Sequence, residues 1–391
     1  MKRIMKGPAF AFLLSIACLA GCSKNGVEGD PAGSEVPVLK VGHVGHDHQI
    51  ALFVAALEAD AFRETYGVWL REKKPREVYD LVEAGETLAE LHVIKVGGGS
   101  RMPAAMERGE IDVGYGGVAA VAFFRDKGNP FKILCPLHTE GDMLVVSPDL
   151  PVTDWRSFVE HVKRSAKPVT IGYKAPVAVA KLIFMRALKE EGISYRVQGE
   201  GEADEAGGGA VELVNLQGGK NMVPSLASGA VDGFVMNQPQ VSMAVAKGVG
   251  KVVADLSDLP PRGQWKDHPC CCIASTASVI EKHAAALKAL MKLTLVATRY
   301  INEDKRRAAR LASKWTKVPL EVEQESVPSI VYLARFTKRY KEGLNTWAEI
   351  MNEIGKFTGD LEGKTGEAFF DLTCDPTLLE KAASELEEKG G

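Results

Sequence analysis

The feature of this sequence that most constrains its fold is an order of segments that repeats along the chain. A short apolar segment is followed by a turn of small residues and then by a segment of helical periodicity, first at 38–66 and again at 169–191. Strands that alternate with helices in this way indicate mostly parallel sheets with helices on both faces. The chain has 391 residues, more than a single hydrophobic core usually serves. The sequence therefore predicts an α/β protein of two domains.

The same pattern predicts the positions of individual elements. Strands are expected at 38–44, 93–96 and 169–173, and one long helix at 50–66. Thr153 is expected to cap the helix that follows it, because a threonine side chain can accept a hydrogen bond from a free N–H of the first turn.

The first 22 residues have the pattern of an export signal. Basic residues stand at positions 2, 3 and 6, and residues 8–20 are apolar but too short to span a bilayer. The segment ends in Leu-Ala-Gly-Cys, which resembles the lipobox of a bacterial lipoprotein, so Cys22 is the predicted lipidation site. An ordinary secretory signal, or a short anchor, with an incidental cysteine is the alternative. Residues 22–37 are polar and rich in glycine and proline, which predicts a flexible tether.

Composition argues against several classes of function. The formal net charge is −3, whereas a nucleic-acid-binding protein normally carries a basic face. After residue 21 no uncharged run approaches the length of a membrane span. Two of the seven cysteines lie at or before position 22, and the remaining five are an odd number. A disulfide framework is therefore not expected in a chain of this size.

A weak internal repeat supports two related lobes. Residues 102–114 (MPAAMERGEIDVG) and 222–233 (MVPSLASGAVDG) each predict a helix that ends at glycine, followed by an apolar residue and an aspartate that begins a strand. Glycine ends many helices, so the match could also arise from ordinary helix-to-strand junctions.

The residues of this repeat carry a resemblance to a known family. The segments 105–117 (AMERGEIDVGYGG) and 228–234 (SGAVDGF), behind a lipobox, resemble periplasmic solute-binding proteins of ABC importers, and more narrowly the nitrate/sulfonate/taurine-binding family. His-Pro-Cys-Cys at 268–271 also occurs in some members. The resemblance covers about residues 38–280. Two departures are the long, charged stretch 66–91 and the expanded acidic loop 199–210.

The resemblance implies a type II periplasmic-binding-protein fold: two doubly wound lobes, a two-crossover hinge and a helical C-terminal extension. Lobe one would comprise residues 38–145 and 255–391, and lobe two residues 146–254. A small solute would bind in the cleft between lobes that close about the hinge. The implied partners are an ABC permease and ATPase, and the protein would be an exported monomer held to a membrane by lipid. No catalytic residue, cofactor or metal is implied.

The cleft of such a fold lies at the carboxyl ends of parallel strands, where free backbone N–H groups favour anions. Residues at these ends form the predicted ligand-binding set. Arg101 and Lys174 could neutralise an anionic solute, and the glycines would admit it close to the backbone. The set is His46, Asp47, His48, Gln49, Gly98, Gly99, Ser100, Arg101, Gly116, Gly117, Val118, His138, Lys174, Ala175, Asn237 and Gln238.

Histidines and cysteines leave a second reading open. His43, His46 and His48 stand close together at one strand end, where imidazoles could bind a metal, a metal chelate or an anion, or serve as ordinary turn residues. The run 270–272 is three cysteines. Successive side chains of a strand alternate between faces, so three adjacent thiolates cannot all bind one ion without a bend, and a buried strand with small hydrophobic side chains is favoured.

Two alternatives to a transport protein follow from these residues. One is an exported metal- or redox-linked protein on the same scaffold. The other is an enzyme resembling the fungal thiamine-pyrimidine synthase family, which shares the fold and carries a longer cysteine run. Ile273 and Ala274 stand here where that family has phenylalanine and a further cysteine. Common catalytic motifs such as Gly-x-Ser-x-Gly and His-Glu-x-x-His are absent from the sequence.

Overall fold

A computed structural model describes residues 36–99, 101–199 and 209–390. The predicted signal peptide, Cys22, Ser100 and most of the acidic loop lie outside the described residues. Fourteen strands are found in the described part. They are β1 (Val38–His43), β2 (Val68–Lys74), β3 (Val78–Glu83), β4 (Glu86–Lys95), β5 (Val113–Gly117), β6 (Phe131–Thr139), β7 (Asp142–Val146), β8 (Val169–Tyr173), β9 (Ser194–Val197), β10 (Ala210–Asn215), β11 (Gly233–Asn237), β12 (Lys251–Asp255), β13 (Pro269–Thr276) and β14 (Val331–Tyr332).

Fifteen α-helices lie between and after these strands in the described ranges. They are α1 (Ile50–Leu57), α2 (Ala59–Tyr66), α3 (Met102–Glu107), α4 (Val118–Asp126), α5 (Trp155–Arg164), α6 (Val179–Glu190), α7 (Met222–Ala227), α8 (Gln240–Ala246), α9 (Ala277–Lys282), α10 (Ala284–Glu303), α11 (Lys305–Thr316), α12 (Leu320–Ser326), α13 (Lys338–Glu353), α14 (Gly366–Thr373) and α15 (Thr377–Gly390). None of the described helices combines the length and apolar character needed to cross a bilayer.

The strands form two sheets, as the predicted fold class requires. The first has eight strands in the order β14-β6-β13-β5-β1-β4-β3-β2, and the second has six in the order β12-β7-β11-β8-β10-β9. The centre of each sheet is parallel, through β4-β1-β5 in the first and β11-β8-β10-β9 in the second. The remaining strands pair antiparallel.

The chain crosses between the sheets twice. It leaves the first sheet at Thr139 and enters the second at Asp142, and it returns between Asp255 and Pro269. All of β7 pairs within the second sheet. The predicted boundary, between residues 145 and 146, places most of this strand in lobe one. The sheet to which a strand belongs is decided by its pairing partners, which local sequence does not specify.

Three local elements differ from the sequence-based expectation. The predicted helix 50–66 is two helices that meet at Glu58, whose φ of −114° is not helical. The charged stretch 66–91 is occupied by β2, β3 and the start of β4, an antiparallel meander at the sheet edge. Asp154, not Thr153, caps α5, because its carboxylate accepts from the backbone N–H of Ser157 (2.8 Å) in a reciprocal capping box.

The C-terminal helices close the first sheet. Trp347 of α13 is 2% exposed and stacks on Trp265, with ring centroids 5.6 Å apart. Its indole N–H donates to the backbone oxygen of Pro269 at the start of β13 (2.8 Å). Gly343, one turn earlier, lies so close that an added Cβ would stand 2.3 Å from Cδ of Pro269. The second crossover is therefore fixed tightly against α13.

Candidate functional site

A cavity of about 920 Å³ lies between residues that follow strands of both sheets. From the first sheet, its walls come from the segments after β1 and β4; from the second sheet, they come from the segments after β8, β10 and β11. The described lining residues are Val44, Gly45, His46, Lys95, Val96, Gly97, Gly98, Gly99, Arg101, Lys174, Ala175, Pro176, Asn215, Gln217, Gly218, Gly219, Lys220, Asn221, Met236, Asn237, Gln238, Pro239 and Gln240.

The charges of this cavity have one sign. Lys95 and Arg101 approach from the first sheet, and Lys174 and Lys220 from the second. No aspartate or glutamate is among the described lining residues. Lys174 donates from Nζ to Oδ1 of Asn237, which is a neutral acceptor and brings no opposite charge. An uncompensated group of cations in a concave site concentrates a positive potential, which favours anionic solutes.

Two glycine-rich turns let the backbone form part of the wall. Gly97, Gly98 and Gly99 follow β4, and Gly218 and Gly219 follow β10 in the same way. Gly218 has φ of +130°, a conformation that side chains with a Cβ rarely adopt. The turn therefore needs glycine at this position.

Eight residues of the predicted ligand-binding set line the cavity. They are His46, Gly98, Gly99, Arg101, Lys174, Ala175, Asn237 and Gln238. Ser100 lies outside the described residues. Their part in binding a ligand stays a prediction.

The other predicted ligand residues do not line the cavity. Asp47, His48 and Gln49 form a buried 3₁₀ turn that points into the protein. Gln49, for example, donates to the backbone oxygen of Tyr115 (2.6 Å) and accepts from the N–H of Val44 (2.7 Å). The turn thus provides hydrogen-bond partners for backbone groups of β5 and of the residue after β1, and it does not face solvent.

The end of β5 is covered as well. An added Cβ at Gly116 would stand 2.5 Å from Cε of Met102, and Val118 is 1% exposed. Gly117 pairs with Cys271 of β13, and His138 is fully buried on β6. Helix α3 and the antiparallel strand β13 cover the strand end that simple parallel topology would leave open.

Sequence reasoning missed about two thirds of the described cavity wall. It overlooked two cations, Lys95 and Lys220, and the turn residues at 97 and 217–219. A usable signal was present, since the glycine pair after β10 repeats the glycine run after β4. The end of β10 was not among the five strand ends, those of β1, β4, β5, β8 and β11, at which most of the ligand-binding set was predicted.

Two buried carboxyl groups lie together at the 3₁₀ turn. Asp47 of the turn and Glu323 of α12 are both fully buried and interact with each other, and Ser326 donates to Asp47. Thr316 donates to Oε1 of Glu323 (2.7 Å). Burial raises the pKa of Asp47 to about 6, and burial together with the Asp47 charge raises the pKa of Glu323 to about 9. At neutral pH the folded protein therefore keeps a proton on Glu323.

These raised pKa values predict how stability depends on pH. The folded state binds more protons than the unfolded state between the ordinary carboxyl pKa and about 9, so the free energy of unfolding falls as pH rises through this window. Glu323→Gln keeps the hydrogen-bonding shape without the titration. The variant should lose most of this fall above pH 6 in urea denaturation at graded pH, whereas Glu325→Gln, an exposed change on the same helix, should retain it. Identical slopes in all three proteins would contradict the assignment.

A histidine–cysteine cluster adjoins the cavity. The ring of His46, which lines the cavity, stands 5.2 Å from the ring of His48, and His48 lies 3.8 Å from His138 between ring centroids. Nδ1 of His48 is 3.5 Å from Sγ of Cys270 and 3.8 Å from Sγ of Cys271. All four of His48, His138, Cys270 and Cys271 are at most 5% exposed.

The protonation of this cluster follows from burial and mutual contact. Burial lowers the pKa of His48 well below its usual value, so its imidazole is neutral. A hydrogen bond from the thiol of Cys270, with the nearby His138, lowers the pKa of Cys271 to about 5, and the same hydrogen bond raises the pKa of Cys270. The lowered pKa of Cys271 favours a thiolate beside the neutral imidazole of His48.

The model of the NMT1-like family matches residues 32–316. The chain belongs to this family. Among curated relatives, an uncharacterised protein of Methanocaldococcus jannaschii, MJ1180, is 37% identical over 141 residues, which are 36% of this chain and 92% of that protein. The nitrate import ATP-binding protein NrtC of Synechocystis is 28% identical over 137 residues, 35% of this chain but 19% of that protein.

Solved structures of ligand-binding proteins show the same fold, among them a component of an ABC-type import system. A zinc-bound ligand-binding component from Staphylococcus aureus has a TM-score of 0.66 at 14% identity, covering 88% of this chain and 99% of its own. The periplasmic nitrate-binding protein NrtA of Synechocystis has a TM-score of 0.64 at 18% identity, covering 90% of each chain. The aliphatic sulphonate-binding protein SsuA of Escherichia coli scores 0.61 at 13% identity, covering 87% and 92%. The predicted fold class is confirmed.

Proposed function

We propose that this chain is the solute-binding component of an ABC importer and that it captures a small anion in the cavity between its two sheets. The observation that carries this proposal is the four-cation wall of Lys95, Arg101, Lys174 and Lys220, without a carboxylate among the described lining residues. A volume of about 920 Å³ is within the usual range for a site that takes a small molecule. Nitrate, sulfonates and small carboxylates are the classes to test.

The wall supports binding more than catalysis. The described lining residues include no cysteine, serine, aspartate or glutamate, so they offer no thiol, hydroxyl or carboxylate nucleophile. Amide side chains such as Gln217 and Gln240 accompany the cations and suit the hydroxyl or amide groups of an organic anion. A thiamine-pyrimidine-synthase-like enzyme is therefore the less favoured alternative.

Capture would use closure about the two crossovers. Gln238 lines the cavity directly after β11 of the second sheet, and its side-chain amide donates to Ser329, which precedes β14 of the first sheet (3.3 Å). Arg186 and Lys189 of α6 reach Glu353 of α13. Polar contacts of this kind can form and break at little net cost, which suits a hinge motion between lobes. The permease and ATPase of the importer would receive the solute from the closed form.

A thermal-shift screen tests the proposal. A ligand that binds only the folded state raises the melting temperature by mass action. At a ligand concentration of a hundred times Kd, the free energy of unfolding increases by about 2.7 kcal/mol. Nitrate, alkanesulfonates, small carboxylates and matched neutral alcohols would be screened at constant ionic strength. At least one anion class should stabilise the protein while its neutral analogue does not. Equal shifts for anions and neutral analogues would contradict the anionic assignment.

We propose further that the chain is exported and held to a membrane through lipid on Cys22, as its lipobox-like sequence suggests. Cys22→Ala should abolish incorporation of labelled fatty acid and move the protein from the membrane fraction to the soluble fraction. Cys18→Ala, a change inside the apolar segment of the leader, is the matched control and should leave labelling intact. Equal labelling of wild type and Cys22→Ala would exclude the lipid anchor.

A further inference from the structure

Four potential metal ligands converge at the first-sheet ends of the two crossovers. His138 stands next to the last residue of β6, just before the first crossover, and Cys270 and Cys271 follow the second crossover at the start of β13. His48 comes from the 3₁₀ turn after β1. One ligand atom from each of the four lies within 4.8 Å of all the others. This is a compact N₂S₂ set assembled from three separate parts of the chain.

A break in the strand pairing makes the set feasible. Adjacent residues of a regular strand point to opposite faces, so Cys270 and Cys271 would normally be separated. The pairing of β13 with β6 shifts register between Pro269 and Cys271 and again between Cys271 and Cys272. Such a bulge re-aims a side chain, and both sulfurs come within 3.8 Å of the same His48 nitrogen. Cys272 is not part of the set.

His138 has the free nitrogen that a metal requires. Nε2 of His138 is buried and has no hydrogen-bond partner in the described part of the chain, while its Nδ1 faces the backbone oxygen of Thr139 (3.4 Å). An imidazole held through one nitrogen by a carbonyl and free at the other is the usual arrangement of a metal ligand. Leaving such a nitrogen buried and unpaired costs about 1–3 kcal/mol, a cost that a bound ion would remove.

From this geometry we propose that His48, His138, Cys270 and Cys271 form a buried tetrahedral site for a zinc-type divalent transition metal. Two imidazoles and two thiolates are among the ligand sets that zinc prefers, and a divalent ion with two thiolates is electrically neutral, as a buried site requires. Ligand atoms around tetrahedral zinc lie roughly 3.3–3.8 Å apart. A contraction of about 1 Å from the present spacing would complete the site.

The position of the site indicates a resident metal and not transported cargo. The ligands are at most 5% exposed, and none of them is among the residues that line the cavity. Gly141, in the first crossover, lies against the site, because an added Cβ there would stand 3.2 Å from Nε2 of His48. The metal would therefore join the first-sheet ends of both crossovers and fix the base of the hinge.

Titration with Co²⁺ under reducing conditions tests the site in the purified full chain. Cobalt is a spectroscopic substitute for zinc, and two thiolate ligands should give an intense thiolate-to-cobalt charge-transfer band together with the strong visible bands of tetrahedral cobalt. One equivalent should bind, and one equivalent of Zn²⁺ should displace it. A spectrum of weak octahedral bands alone would overturn the proposal.

Variants separate ligands from neighbours. Cys271→Ser and His138→Gln should each weaken Zn²⁺ binding by at least about 100-fold, since even residues behind the ligands contribute roughly 10- to 100-fold. Cys272→Ala is the matched control, because it removes an equally buried thiol from the next position and should keep the wild-type affinity and spectrum. Folding of each variant is checked by far-UV circular dichroism. Equal loss in Cys272→Ala, or none in the two ligand variants, would contradict the site.

Discussion

Replacing Lys174 with methionine should weaken binding of the anion found in the thermal-shift screen by about 10- to 150-fold. A charge-assisted hydrogen bond in a partly desolvated site contributes about 1.5–3 kcal/mol, which corresponds to this range of Kd. Methionine has a similar length without the charge, so the cavity should keep its shape. Lys174 stands directly after β8, where it faces the cavity beside Asn237. Isothermal titration calorimetry of the two proteins measures the loss.

Two further variants make this result interpretable. Arg101→Met removes a cation that approaches from the first sheet, and it should cause a comparable loss if the anion is held between both sheets. Lys247→Met removes an exposed lysine just after α8, away from the cavity wall, and should bind like the wild type. An unchanged affinity in Lys174→Met, with the screen positive, would place the anion elsewhere on the protein.

Trp347→Ala should lower the free energy of unfolding by about 3–5 kcal/mol, the usual cost of removing a buried aromatic side chain. The indole is 2% exposed, stacks on Trp265 and donates to the backbone of Pro269. Its loss would open a cavity between α13 and the second crossover. Because a domain is commonly stable by about 5–15 kcal/mol in total, the effect should be large in urea denaturation.

Trp347→Phe provides the matched comparison for packing. The phenyl ring retains most of the stacking surface but cannot donate to Pro269, so a smaller loss of about 1 kcal/mol or somewhat more is expected. Both measurements should be made with a chelator present, so that metal binding near Cys270 does not contribute to the difference. A loss below about 1 kcal/mol for Trp347→Ala would show that α13 does not hold the crossover in place.

The order of elements was predictable because its signals are local. The strand predicted at 169–173 is β8 with the same bounds, since a short apolar run flanked by helix and turn residues reports its own conformation. The membership of Arg101, Lys174 and Asn237 in one cavity wall was also predicted, because in parallel sheets every strand ends at the same edge. Both inferences needed only periodicity and the direction of neighbouring strands.

Antiparallel additions were not predictable in the same way. In the sequence, the meander of β2, β3 and β4 shows only as an unusually long and charged stretch. Its strands are stabilised by pairing with one another at a sheet edge, which a local pattern does not report. The covering of β5 by β13 was missed for the same reason, and with it the burial of Gly116, Gly117 and Val118. Pairing between distant segments leaves little trace in a single short window of sequence.

The cysteines separate the two sources of information most sharply. The sequence by itself determined the alternating α/β order of the elements, because hydrophobic periodicity and glycine turns act over a few neighbouring residues. The tertiary structure alone decided that Cys270 and Cys271 face the same imidazole. Strict alternation along a strand predicted the opposite, but a register shift against β6 reverses it. Register is set by the partner strand and the packing around it, which are distant in sequence.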